Sequence, residues 1–413
     1  MMELYEDEMK ELIEQMRRSI MNRIDYSKAV TDSDVYELID MEIFMSDDFM
    51  IRYMSPAKRV ALRQTLFDSI RRLDILQSLI EDPSVTEIMV NGPDDIFYES
   101  SGELHRFDGA FSSGEKLSDI IQQIVGESNR VVNAASPIVD CRLPNGDRVN
   151  VVLAPVAVNG PILTIRRFPA KPITMSDLID YGSISEEAAL FLGRCVRAKL
   201  NIFISGGTGS GKTTFLNTLS EFIGTAERIV TIEDNAELQI RGVPNLVRLE
   251  ARNANVEGCN PISIRDLIRT SLRMRPDRII VGEVRGPEAV DMVQALNTGH
   301  DGSMSTGHAN SGYDGLSRLE TMILMGMELP VQAVRGQLAS GLDLIVHLSR
   351  LRDRSRKVME ISEVVGMKDG QIRLSTLYRF RETGETDGKI EGIWEKENDI
   401  ANTVKFEMAG VPV

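Results

Sequence analysis

At 413 residues the chain exceeds what one ordinary hydrophobic core organises, and 42% hydrophobic with 26% charged residues suits a folded protein of two or three domains. A formal net charge of −15 excludes a general nucleic-acid binder, which needs a basic stripe to displace counterions, so no stable nucleic-acid binding is expected. No run of 18 apolar residues occurs, so no transmembrane segment is predicted. The acidic start at Glu3, Glu6, Asp7 and Glu8 is unlike an export signal, and Cys141, Cys195 and Cys259 are too scattered for a zinc site or a disulfide framework, so a reduced, cytoplasmic protein is expected.

Residues 1–63 read as a helical extension. Met9, Leu12, Ile13, Met16, Ile20 and Ile24 recur every three or four residues, the spacing of one helix face. Such a face serves either a small bundle packed on itself or a docking surface of soft Met and Ile side chains. Residues 64–168 mix helices with short strands, an α+β pattern. Residues 85–91 read as a strand ending at Asn91-Gly92-Pro93, and residues 96–99 open a hairpin toward Gly102. Residues 149–158 and 162–168 flank Asn159-Gly160-Pro161, a second hairpin signal. Pro169 and Pro172 fall within four residues, marking a hinge linker over 169–176. The third domain, 177–413, alternates apolar strands with helical stretches up to about residue 349, the signature of a mostly parallel sheet. Strand-type segments continue at 344–348, 357–365 and 371–380, and 384–390 reads as a polar turn.

The chemistry concentrates in that third domain. Gly206, Gly207, Thr208, Gly209, Ser210, Gly211, Lys212, Thr213 and Thr214 fit G-x-x-x-x-G-K-[ST]. The glycines let the backbone curl so that successive N–H groups converge on an anion. Lys212 suits the β- and γ-phosphates, and the Thr213 hydroxyl suits a Mg²⁺ shell. An apolar strand precedes the loop and a helical pattern with Phe215, Leu216, Leu219, Phe222 and Ile223 follows, which aims a helix N-terminus at phosphate. The chain is read as binding a nucleoside triphosphate.

Four further signals follow. The apolar run beginning at Arg228 delivers Glu233 and Asp234 to a strand end, with Glu237 close behind; paired acids there polarise water or help hold Mg²⁺, unless they form a solvated turn. A second apolar run from Arg278 ends in Gly282-Glu283, with glycine where an Asp is usual, and its carboxylate suits water orientation or metal binding. His300 and His308 fall within nine residues; a phosphate or subunit sensor is favoured over zinc, for which no third ligand is spaced. Arg142 and Arg148 sit in a turn-rich segment of the middle domain, as surface charge or as guanidinium donors to a transition state. Arg265, Arg269, Arg273 and Arg275 suit a solvated face or a basic seam.

In this order the loop, the two acidic strands and the histidine pair resemble the secretion ATPase superfamily of type II and type IV secretion and type IV pili, where they are the Walker A motif, Asp box, atypical Walker B motif and His box. The resemblance covers residues 65–380 or so. Val85–Pro93, Cys141–Asn150 and Leu272–Gly286 look most like the tight-adherence (Tad/Flp) pilus branch. The four-cysteine insertion of type II members is absent, which points to pilus or type IV relatives. The resemblance implies an α/β protein: a RecA-like P-loop ATPase C-terminal domain, preceded by an α+β PAS-like domain and a short helical extension. It implies a homohexamer using ATP and Mg²⁺, with nucleotide held between the middle and C-terminal domains. It also implies peripheral docking on polytopic platform proteins of the inner membrane. By that resemblance Lys212 and Thr213 hold phosphate and metal, Glu233 is the favoured base, and Glu283 supports metal or water. His300 and His308 are sensors, and Arg142 and Arg148 reach the γ-phosphate. Which glutamate is the base stays open.

Overall fold

The computed structural model describes residues 2–25, 28, 30–100, 102–128, 130–168, 172–252 and 260–413. Cys259 and residues 169–171 of the proline linker lie outside the described residues. The chain divides into two compact units, Met1–Lys171 and Pro172–Val413.

The first unit begins with helices α1 (Met2–Arg23), α2 (Asp32–Met45), α3 (Phe49–Arg52), α4 (Pro56–Arg71) and α5 (Leu76–Glu81). Thr31 opens α2 with a reciprocal capping box to Asp34, and Ser55 caps α4 ahead of Pro56. Met16 and Ile20 of α1 are buried against Val35, Ile39, Leu62, Leu66 and Phe67, so the periodic face packs into a bundle of its own. Helix α4 runs unbroken through residue 63, so the helical part extends to Arg71.

Strands β1 (Val85–Asn91), β2 (Ile96–Ser100) and β3 (Glu103–Arg106), helix α6 (Gly114–Glu127), and strands β4 (Ile138–Arg142), β5 (Arg148–Val152) and β6 (Ile162–Arg166) follow. The sheet runs β3-β2-β1-β6-β5-β4, antiparallel throughout. Alternate residues such as Ile88, Val90, Leu163 and Ile165 turn inward with Leu117, Ile121 and Ile124 of α6. Strand β5 stops at Val152 instead of reaching 158. Pro155 has no N–H to give the ladder, so 153–161 form a connecting loop.

The second unit contains α7 (Met175–Asp180), α8 (Glu186–Arg197), β7 (Ile202–Gly206), α9 (Lys212–Ser220), β8 (Arg228–Glu233), β9 (Asn245–Glu250), α10 (Ile264–Ser271), β10 (Arg278–Val281) and α11 (Ala289–Leu296). Then come β11 (Met304–His308), α12 (Gly312–Gly326), α13 (Val331–Gly341), β12 (Leu344–Arg350), β13 (Arg356–Lys368), β14 (Gln371–Thr386), β15 (Lys389–Lys396) and α14 (Val404–Ala409). The sheet order is β15-β14-β13-β12-β7-β11-β10-β8-β9. From β12 to β9 all neighbours are parallel, while β12 to β15 form an antiparallel extension. Ile202 and Ile204 pack with Phe215, Leu216 and Leu219 of α9, whereas Phe203 packs with Ala289, Val293 and Leu316 of α11 and α12. Alternate side chains thus feed two cores on opposite faces, the arrangement of a helix-covered parallel sheet.

The polar stretch at 384–390 is not a turn over its whole length. Strand β14 runs to Thr386 and β15 starts at Lys389, leaving Asp387 and Gly388, both at positive φ (51° and 73°), as the two-residue turn. The end of β14 is polar and largely exposed, whereas Ile390 at the start of β15 is buried. Beneath the parallel strands Arg278, only 1% exposed, makes a forked ion pair with Glu227 at 2.7 and 2.9 Å. Gly302 makes room for it, because a Cβ there would lie 2.4 Å from Arg278 Nη1. Among the described residues no helix is long and apolar enough to cross a membrane.

Candidate nucleotide site

Strand register brings the candidate residues to one edge. His308 pairs with Gly206 and Val281 with Ile232, so β7, β8, β10 and β11 present their carboxyl ends together. The loop from Gly206 to Gly211 joins β7 to α9, with Gly209 at φ 71° and Gly211 at φ 92° as the residue before the helix. Gly206 is obligatory for a second reason: a Cβ would sit 2.5 Å from the Leu348 carbonyl oxygen. Thr213 and Thr214 occupy the first turn of α9.

Lys212, 8% exposed, folds its ammonium onto the loop, donating to the carbonyls of Gly206 (3.1 Å) and Gly207 (2.9 Å). Its third contact is His308 Nδ1 at 3.3 Å. An ammonium only donates, so Nδ1 is the acceptor and the proton of the neutral ring sits on Nε2. Burial and the nearby Lys212 charge hold His308 below the usual histidine range, which favours that neutral form. Burial also lowers Lys212. His308 Nε2 lies 2.7 Å from Glu283 Oε1, in ion-pair range, although Oε1 has no hydrogen-bond partner, so the ring N–H is not aimed along that line. Glu283 Oε2 accepts from Arg285 Nε (2.9 Å) and Nη2 (2.5 Å), and Arg285 Nη1 stands 3.8 Å from Asp234 Oδ2. A chain of contacts therefore runs from the Lys212 cation through the neutral His308 ring to Glu283, Arg285 and Asp234, the last three alternating in charge.

Glu233 ends β8 and is 3% exposed. Its Oε1 accepts from the backbone N–H groups of Glu237 and Leu238, both at 2.8 Å, while Oε2 is buried with no hydrogen-bond partner among the described residues. Desolvation outweighs those two bonds and pushes the carboxyl up to about 7. The glycine that replaces the usual acid now has a cause. A Cβ on Gly282 would lie 2.8 Å from Glu233 Cγ, so the buried Glu233 side chain packs over the space a side chain there would need.

An open cleft of about 610 Å³ adjoins the loop, lined by Gly207, Thr208, His308, Asn310, Asp314 and Arg318. The residues present suit Mg²⁺. A threonine hydroxyl and a carboxylate with an unpartnered oxygen are hard ligands, and Mg²⁺ takes most of its shell from phosphate and water. No group of three His, Cys, Asp or Glu side chains among the described residues makes a metal cage of its own.

Not every candidate joins this site. His300 precedes β11 and donates from Nδ1 to the Ala295 carbonyl (3.3 Å), at the opposite end of a strand about 16 Å long from His308. Within this chain His308 stands at the phosphate loop and His300 does not join it there. Arg142 and Arg148 belong to the first unit, where they pair directly across β4 and β5. Arg265 and Arg269 clamp Asp291 at 2.6 and 2.7 Å, whereas Arg273 and Arg275 are exposed, so the four arginines form no single basic seam. Arg285 and Arg356 had no assigned role in the sequence. Arg285 is separated from Glu283 by one residue, a spacing that offered a signal. Arg356 donates to the Gly209 carbonyl at 2.9 Å from 147 residues away, a pairing no local pattern reveals.

Comparison with known proteins agrees with this architecture. The model of the family described as type II/IV secretion system protein matches residues 71–390. A protein of Mycobacterium tuberculosis is 36% identical over 310 residues, covering 74% of this chain and 87% of the relative. The type IV secretion system protein VirB11 of Brucella suis is 32% identical, covering 67% and 84%. In fold, the ATPase DotB of Legionella pneumophila superposes with a TM-score of 0.50 at 21% identity over 70% of this chain and 79% of that one. With a matching model over most of its length and these relatives, the chain belongs to the type II/IV secretion system protein family.

Proposed function

We propose that the chain is an ATP-hydrolysing motor, working as a homohexamer on polytopic inner-membrane platform proteins to assemble a type IV or tight-adherence pilus from the cytoplasmic side. The observation that carries hydrolysis is the convergence of Lys212, His308 and Glu283 at the mouth of the phosphate loop, beside a buried acid. On arrival of a triphosphate, the Lys212 ammonium exchanges its loop carbonyls for phosphate oxygens. The converging loop N–H groups and the N-terminus of α9 add to the same anion site. Bound Mg²⁺, held by Thr213 and through water by Glu283, would neutralise charge on the phosphate oxygens. Glu233 is the better base: a carboxyl titrating near neutrality accepts a proton at working pH, and Oε2 is the oxygen left for it. Glu283, whose Oε1 faces His308 without a hydrogen-bond partner, orients the attacking water. Arg142 and Arg148, set side by side on one hairpin, suit delivery of two guanidinium groups to the γ-phosphate.

The test is steady-state ATP hydrolysis by wild type, Lys212→Ala, Glu233→Gln and Glu283→Gln, with each variant's oligomer size measured. Loss of turnover in all three supports the reading; unchanged rates in both glutamate variants would sink it. A second reading, a type IV secretion or conjugation motor, is supported by the conjugal transfer protein TrbB of Rhizobium radiobacter, 32% identical over 73% of this chain and 90% of its own. Deleting the gene separates the two, through loss of surface pili or loss of macromolecule transfer.

A further inference from the structure

The acidic ends of β8 and β10 are spanned by one side chain that neither strand pattern singled out. Arg285 gives two N–H groups to a single oxygen of Glu283, at 2.9 and 2.5 Å, and its remaining arm stands 3.8 Å from Asp234. The backbone around it is held as well: the Arg285 and Gly286 N–H groups both donate to Glu288 Oε1, at 2.7 and 2.9 Å, so the turn leaving β10 is set. The Arg285 side chain is 59% exposed, whereas the Glu283 side chain is 21% exposed. A fixed root with an open head suits a side chain that changes partners.

The lone pairs of Glu283 Oε2 are committed to the guanidinium, so that oxygen cannot accept from a water while the pair persists. On the other side, Oε1 faces the His308 ring, whose far nitrogen touches Lys212. Any anion that draws Lys212 off the loop carbonyls also disturbs His308, and so reaches Glu283. The same anion attracts Arg285, because a guanidinium fork matches phosphate oxygens as well as it matches a carboxylate.

We propose that Arg285 is the positioning residue for Glu283: it holds the carboxylate in place between nucleotide-binding events and passes to the terminal phosphate of a bound triphosphate, releasing Glu283 to orient water. The inference rests on Glu283 taking part in turnover, as proposed above. It assigns the exchange to a polyphosphate anion that reaches beyond a diphosphate. Asp234 is the second anchor, which keeps the guanidinium at the strand ends when it lets go of Glu283.

The experiment is a double-mutant cycle on full-length protein, using Arg285→Ala, Arg285→Lys, Glu283→Gln and the double variant Arg285→Ala/Glu283→Gln. Hydrolysis rates are read beside the Kd of fluorescent ADP and of a non-hydrolysable ATP analogue. Arg285→Ala should lower kcat roughly 100-fold as Glu283 loses its fixed geometry. The double variant should be no slower than Glu283→Gln alone, since one residue acts through the other. Arg285→Ala should weaken the ATP analogue about 10-fold while leaving ADP nearly unchanged, the loss of one charge-assisted contact. Arg285→Lys, which keeps charge and loses the fork, should recover ATP-analogue binding more than kcat. Multiplicative losses in the cycle, or equal weakening of ADP and the ATP analogue, would overturn the inference. If Glu283→Gln turns over normally, the reading of the site fails first; if it is inactive while Arg285→Ala behaves as wild type, the positioning role alone fails. Should Arg285→Ala not fold, Arg285→Lys and Asp234→Asn carry the same two readouts: wild-type kcat and nucleotide discrimination in both would refute the role.

Discussion

Glu233→Gln offers the sharpest physical test of the site, because its effect on stability has a sign and a size set by burial. The carboxyl is raised from 4.5 to about 7, first by desolvation and against two backbone N–H bonds that work the other way. A raised carboxyl is penalised only when charged. Below the unfolded value both states carry the proton and there is no penalty. Between the two values the unfolded chain ionises first and folding loses stability; above about 7 the penalty is complete. At about 1.4 kcal/mol per pKa unit the full penalty is about 3 kcal/mol. Glutamine copies the shape of the protonated acid, and its carbonyl oxygen can keep the N–H groups of Glu237 and Leu238. The penalty is roughly half developed near pH 5.5, so the stability advantage of Glu233→Gln should widen by roughly 2 kcal/mol between there and pH 8. For a unit of this size that corresponds to about 4–8 °C in Tm. Thermal unfolding of both proteins across that range is the assay, alongside loss of hydrolysis in the variant. A stability gap that stays constant with pH, or that favours wild type at pH 8, would refute the desolvated-acid argument.

Substitutions at three other positions bear on the same framework. Gly282→Ala places a methyl 2.8 Å from Glu233 Cγ, and overpacking of this kind should cost about 1–3 kcal/mol in urea unfolding and reduce hydrolysis together. Gly282→Asp, which restores the more usual acid, should be worse in both measurements. His308→Ala removes a side chain that touches both Lys212 and Glu283, so kcat should fall while the protein stays folded, as circular dichroism and a nucleotide titration will show. Gly302→Ala meets Arg278 Nη1 at 2.4 Å from a backbone position at φ 80°; breaking the buried Arg278–Glu227 pair should cost about 3–5 kcal/mol, measured by chemical unfolding.

Local chemistry made much of this protein readable from its residues alone. The glycine spacing before Lys212 identifies an anion loop because only a curled backbone aims N–H groups at one point, and β7 and α9 flank it as the apolar runs predict. Glu233 at the end of β8 and Glu283 just past the end of β10 were legible for a related reason: buried parallel strands are continuous apolar runs, so an acid at or beyond the end stands out. The bundle of α1, α2 and α4 followed the 3.6-residue period, but whether that face met its own helices or a partner did not, since both bury the same stripe. Polar strand ends are harder still: the run of exposed residues that closes β14 erases the period, and residues 384–386 and 389–390 passed for a turn.

Distances between strand ends belong to the tertiary structure. Spacing in sequence put His300 and His308 together, and the strand between them puts them apart. The sheet brought Glu233 against Gly282, which turns an irregular motif into a packing requirement. It also set the Arg285 fork on Glu283 and the Arg356 side chain under the phosphate loop. The sequence by itself determined which backbone segments can bind phosphate and which strands carry acids, because those depend on neighbours a few residues away. Which acid is desolvated, which histidine reaches the loop and which arginine holds a carboxylate were decided only by strand register and sheet order, which join residues tens to hundreds of positions apart.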